Sequence, residues 1–194
     1  MPEAIRIIHD EHRALAAVLQ GLLHLVTEID EGRMQPDFRV LAAMLHYIDA
    51  FPEKLHHPKE DEFLYRLLRA RLAEPLPLLD ELESEHVHGR TLIEGLRAAL
   101  DRFQAEGGAS FPPFRDAARA YAEFHWTHMR KEEDEILPLA ARTLTEDDWA
   151  TIDAAFTSNS DPIVGTPASR EFRTLFRRIV HLAPPPIGVG APAR

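Results

Sequence analysis

One pattern of polar residues is written twice on helix-forming sequence, and it leaves few folds open. Glu11-His12 and Gly21-Leu22 reappear as Glu85-His86 and Gly95-Leu96 at an offset of 74, and His56-His57-Pro58-Lys59-Glu60 reappears as His128-Met129-Arg130-Lys131-Glu132 at an offset of 72. Each copy pairs a segment carrying Glu-His with a later one carrying His-x-x-x-Glu. A duplicated helical hairpin with imidazoles and carboxylates turned inward is the simplest structure that accounts for the repeat.

The apolar residues around the pattern recur at three- and four-residue spacing, the period of an amphipathic helix. Ile5, Ile8, Leu15, Val18, Leu19, Leu22, Leu25, Val26 and Ile29 mark a first helix that stops near Gly32. Asp37 caps a second, with Val40, Leu41, Met44, Leu45 and Ile48 on its apolar side; Pro52 and Pro58 predict a kink or a break before it continues through Phe63, Leu64, Leu67 and Leu68. A third runs from about Pro75 to Glu106, where Gly107-Gly108 ends it, and a fourth from Pro112-Pro113 to about Leu144. No segment alternates in the manner of a strand. The fold class is therefore all-α, an up-down-up-down four-helix bundle over residues 1–144.

Beyond the repeat, Thr145-Glu146-Asp147-Asp148 has the form of a capping box and starts a fifth helix, from Trp149 to about Phe156. Ser158 to Pro167 reads as a loop, Phe172, Leu175, Phe176, Ile179 and Val180 as a further short helix, and Ala183-Pro184-Pro185-Pro186 as the start of a Pro/Gly-rich tail. Residues 145–194 are expected to pack on the bundle as a lid or brace.

The chain contains no cysteine, so any metal it holds is held by nitrogen and oxygen, and thiolate zinc sites, iron-sulfur clusters and thiol catalysis are excluded. Its 32 carboxylates against 22 Lys and Arg give a net charge of −10, which argues against nucleic acid and anionic membranes as partners. No apolar run reaches the roughly 20 residues of a membrane span, and Met1-Pro2-Glu3 does not begin a signal peptide. These features predict a soluble, cytoplasmic protein.

Residues four apart on a helix lie about 40° apart in azimuth and about 6 Å along the axis, so His56 with Glu60 and His128 with Glu132 can each address one point. His12 and His86, on the other two helices, raise the set to four imidazoles and two carboxylates. Such a set suits iron, manganese or zinc, and two carboxylates shared between two ions offset the repulsion between the cations. Six ligands on four helices imply two metals. His24, His46, His88 and His181 have no such company and are assigned to surface or packing roles. His9 and His125, three residues before His12 and His128, stand either as extra ligands or as partners behind them. His57 competes with His56 for the inward direction, the match to His128 favouring His56, and Glu133 is the rival to Glu132.

At these residues the chain resembles the hemerythrin-like family, or HHE cation-binding domain, through HDEH at His9 to His12, HHPKE at His56 to Glu60, EH at Glu85-His86 and HMRKEE at His128 to Glu133. The resemblance spans roughly residues 5 to 142. It implies a non-heme di-iron centre with His12, His56, His86 and His128 as terminal ligands and Glu60 and Glu132 as bridging carboxylates. Oxygen-carrying members have a further histidine one turn before the third-helix ligand, where this chain has Leu82. The set of four His and two Glu is closer to members that repair iron centres or handle nitric oxide, although those carry a cysteine-containing segment. The resemblance thus implies a small diatomic ligand or peroxide as partner and leaves reversible binding and turnover both open. The alternative is an iron store or a structural metal site in a protein-interaction module.

Overall fold

The computed structural model describes residues 2–158, and the expected loop, short helix and tail beyond Ser158 lie outside them. Helix α1, Glu3–Asp30, buries one continuous stripe from Ala4 to Val26. Gly32, at φ +71°, makes the turn that follows, a left-handed conformation in which a side chain would be strained. Helix α2, Phe38–Ala50, starts where the Asp37 carboxylate accepts from the Arg39 amide at 2.9 Å.

The second long helix then neither breaks nor stays regular. It widens into a π turn over Pro52–His56, passes through a single α turn, α3, His57–Lys59, widens again over Glu60–Tyr65 and finishes as α4, Arg66–Arg71. Pro52 has no amide hydrogen, and the Leu55 and His56 amides both converge on the Phe51 carbonyl, at 3.0 and 3.2 Å. The expected kink at Pro52 and Pro58 is therefore taken up as a change of winding.

Helix α5, Pro77–Glu106, begins two residues later than expected because Pro75 and Leu76 still belong to the connection. Gly107, at φ +76°, leads through a 3₁₀ turn into α6, Phe111–Lys131, and a third π turn at Glu132–Ile136 joins α6 to α7, Leu137–Thr143. Neighbouring helices close a square: α1 packs on α2, α2 on α5, α5 on α6 and α6 on α1. No strand occurs among the described residues, and the all-α bundle agrees with the sequence.

Helix α8, Glu146–Thr157, caps one end. Thr145 and Asp148 form the reciprocal capping box, and the Arg71 guanidinium grips Asp148 through Nε at 2.8 Å and Nη2 at 3.0 Å. The Ala4 amide donates to Asp153 at 2.7 Å, and Lys59 donates to the Ala155 carbonyl at 2.8 Å. Arg71 and the Thr145 amide hold the Asp148 carboxyl well below the usual aspartate range. A folded-state pKa lowered in this way adds stability that is present above the ordinary range and lost progressively as pH falls below it through the lowered folded value. Thr145→Ala removes the cap and is expected to cost about 1 kcal/mol at neutral pH, read from chemical denaturation. An equal midpoint for variant and parent would show that α8 is not held by its N-terminus.

The core is in two parts. One apolar cluster gathers Leu15 to Val26, α2, the C-terminal half of α5 and most of α6; the other gathers Ala4, Ile5, Ile8, Leu64, Leu68, Leu79, Leu82, Ile136 and the α8 residues Trp149, Ile152 and Phe156. Leu82 is fully buried in the second. Between them lies a layer of buried Glu and His.

Candidate metal centre

That layer contains every residue of the expected set. His12, His56, His86 and His128 are all buried, and Glu60 and Glu132 are 0% and 1% exposed. The imidazoles face each other in two pairs, with Nε2 of His12 3.2 Å from that of His56 and Nε2 of His86 3.0 Å from that of His128. Each carboxylate reaches both pairs. Glu60 Oε1 lies 3.2 Å from His56 and 3.9 Å from His12, while its Oε2 lies 3.5 Å from His86. Glu132 Oε2 lies 3.3 Å from His12 and 3.5 Å from His128. Tyr65, buried with its ring parallel to His86, donates its hydroxyl to Glu132 Oε1.

Each imidazole is also turned outward onto a carboxylate from another helix. Nδ1 of His56 meets Glu11 at 2.7 Å, Nδ1 of His86 meets Asp61 at 2.7 Å, Nδ1 of His128 meets Glu85 at 2.9 Å, and Nδ1 of His12 meets Glu133 at 2.9 Å. An ionised carboxylate only accepts, so Nδ1 carries a hydrogen and Nε2 is the atom turned to the interior. The four links run in a circle: α1 to the second helix, the second to α5, α5 to α6, and the end of the fourth helix back to α1. Glu133 is thus a partner behind His12, in a role distinct from that of Glu132.

The choice between His56 and His57 is not one the structure makes, because both point inward. Ligand-type atoms lie within 4.8 Å of one another in two groups, His12, His56 and Glu60 in one, and His57, Glu60, His86 and His128 in the other. His125 is buried one turn away, with Nε2 3.2 Å from Glu53 Oε1. His9 is half-buried and lies 3.4 Å from Glu133. His46 and His88 are exposed and His24 is partly so, and none of the three joins a ligand group; His181 lies outside the described residues. Sequence reasoning passed over Glu53, Asp61 and Tyr65. The signal for Asp61 was present, since an acidic residue follows each inward glutamate.

Both oxygens of Glu60 and Oε2 of Glu132 have no hydrogen-bond partner. Two buried carboxylates facing each other with unsatisfied oxygens are costly unless positive charge lies between them. Burial and the Glu132 charge push Glu60 up, whereas Glu132 is held well below the usual range, burial being outweighed by His128 and His12. Burial pulls the imidazoles down, yet the Glu132 carboxylate lifts His128 to about 10, and the acidic residues around them lift His12 and, further, His56. Burial and the charge on His128 keep His86 down at about 3. Protons on three imidazoles thus occupy the place of cations, and the donor set fits metal ions.

Metal uptake must displace those protons. Loading in weak buffer is therefore expected to release acid, and apparent affinity to rise with pH up to about 10, where His128 gives up its proton. An indicator-dye titration without acid release would mean that the ions bind elsewhere.

Fold and site together define a four-helix bundle with a buried His/carboxylate metal site. The profile of the hemerythrin HHE cation binding domain matches residues 3–140, and the chain belongs to that family. No curated protein is significantly similar to it. No helix among the described residues is long and apolar enough to cross a membrane.

Proposed function

We propose that the chain is a non-heme di-iron protein in which His12, His56, His86 and His128 are terminal ligands and Glu60 and Glu132 bridge the two ions. It binds, senses or reacts with oxygen, peroxide or nitric oxide. The observation that carries this reading is the pair of buried glutamates, each within reach of both imidazole pairs and with three oxygens lacking hydrogen-bond partners. Ferrous ions would supply electrons and coordination positions for a small ligand.

The chain's own groups do the rest. The outer carboxylates fix the imidazole tautomers and orientation, Tyr65 holds Glu132 by its hydroxyl, and the two apolar clusters restrict water on either side. On this reading residues 1–144 carry the site and 145–194 are a C-terminal extension, of which α8, packed on α1, braces one end of the bundle. A cysteine-free chain using ferrous iron suits a reducing cytoplasm.

The test is elemental analysis after anaerobic iron loading, followed by the visible spectrum as air is admitted. About two irons per chain with new charge-transfer absorption is the expected result. Tight zinc in place of iron, with no spectral response, would favour a structural metal; manganese would keep the ligand set and change the chemistry.

A further inference from the structure

Helix α8 lies beyond the residues that the family profile matches, yet much of what holds it belongs to the proposed ligand segments. Its apolar face, Trp149, Ile152 and Phe156, is buried in the smaller cluster. That cluster also contains Leu64 and Tyr65, which end the π turn that Glu60 opens, and Ile136, which ends the π turn that Glu132 opens. α8 packs directly on the turn Glu60–Tyr65 as well as on α1. Each proposed bridging glutamate is thus joined, through one turn of widened helix, to an apolar residue in the seat of α8.

Two further contacts reach α8 from the motif His56–Glu60. The Phe156 ring, fully buried, meets the His56 ring edge-on, with centroids 6.1 Å apart and planes 83° apart. Lys59, the residue before Glu60, donates to the Ala155 carbonyl and to Ser158 Oγ, both at 2.8 Å, and so holds the C-terminal end of the helix. The N-terminal end is held by Arg71, which closes α4 and lies outside the ligand segments.

A π turn accommodates one residue more than the α turn it replaces, so a return to α winding would rotate the side chains beyond it by about 100° about the axis. Leu64, Tyr65 and Ile136 could not keep their places in the seat through such a rotation. Ions shared by Glu60 and Glu132 would fix the first residue of each π turn. Loss of the ions leaves the facing carboxylate oxygens unsatisfied and favours their separation.

We infer that α8 is a conformational reporter of the metal centre: the two π turns carry occupancy from Glu60 and Glu132 to its seat, Lys59 latches it, and it undocks when the ions leave. The inference rests on the two-metal reading above. Linkage makes the effect reciprocal, so a docked α8 tightens metal binding by the factor by which metal tightens docking.

Hydrogen exchange of the full chain tests it, read by mass spectrometry over Glu146–Thr157 with iron loaded anaerobically and again after chelation. In the parent, chelation should speed exchange in α8 by about tenfold or more. Two variants separate a reporter from a brace. Lys59→Met should keep the parent's iron content at saturation yet exchange fast in α8 whether loaded or not, which cuts the metal response to about twofold. Arg71→Met removes an anchor outside the ligand segments, so it should loosen α8 in both states and keep the parent's response. By reciprocity, Phe156→Ala should weaken iron binding by about tenfold in competition with a chelator. No metal response in the parent, equal responses in Lys59→Met and Arg71→Met, or unchanged iron affinity in a folded Phe156→Ala protein each overturns the inference and leaves the two-metal reading standing. Fewer than two irons per chain in the parent overturns both. Should Phe156→Ala fail to fold, Lys59→Met and Arg71→Met decide.

Discussion

Glu132→Ala is expected to reduce the metal content of the iron-loaded chain from about two ions to one or none, and Glu60→Ala to do the same. Each carboxylate faces both imidazole pairs, so its loss removes a donor from both ions and restores the repulsion it offset. The metal-free variant should fold, because alanine relieves the burial of a carboxylate whose oxygens lack partners. His24→Ala, away from either ligand group, should keep the parent's metal content. Elemental analysis after desalting reads all three. Full retention of metal in both glutamate variants would sink the proposed ligand set.

Chelation of the metal is expected to lower the melting temperature of the parent protein by roughly 10 °C or more. An ion bound only by the folded chain, at a free concentration a thousandfold above its Kd, contributes about 4 kcal/mol. For a domain of this size each kcal/mol moves Tm by about 2–4 °C. The loss should fall unevenly. Without cations the polar layer separates two apolar clusters, and the smaller, which includes α8, has least to hold it. Hydrogen exchange should quicken first at Ala4 to Ile8, Leu64 to Leu68 and α8. Equal melting curves with and without chelator would mean that the site contributes nothing to folding.

The four helices were legible because apolar spacing of three and four is a local property of the chain, and Gly32, Asp37, Gly107 and Thr145 mark their ends by local chemistry. The six proposed ligands were legible because duplication shows which polar residues recur. The π turns were not. A proline predicts a disturbed helix, but whether the chain breaks or widens depends on what packs against it, and the turn at Glu132–Ile136 has no proline within it. His56 ends the first π turn and His57 opens the α turn after it, so the change of winding falls between the two side chains that both point inward. Glu53 was missed for the opposite reason to Glu60. Its counterpart in the second half is His125, so the repeat that exposed the ligands concealed the residue that breaks it.

The circle of outer carboxylates carries a consequence for symmetry. Glu11 to His56 is a link within the first half and Glu85 to His128 one within the second, whereas Asp61 to His86 and Glu133 to His12 cross between halves. A single half-chain can therefore make its own internal link but leaves one acid and one imidazole unanswered. Both are answered when it meets a second copy about a two-fold axis. The bundle has the wiring of a two-fold pair of half-chains, and Met129 against His57 is one place where the two halves differ.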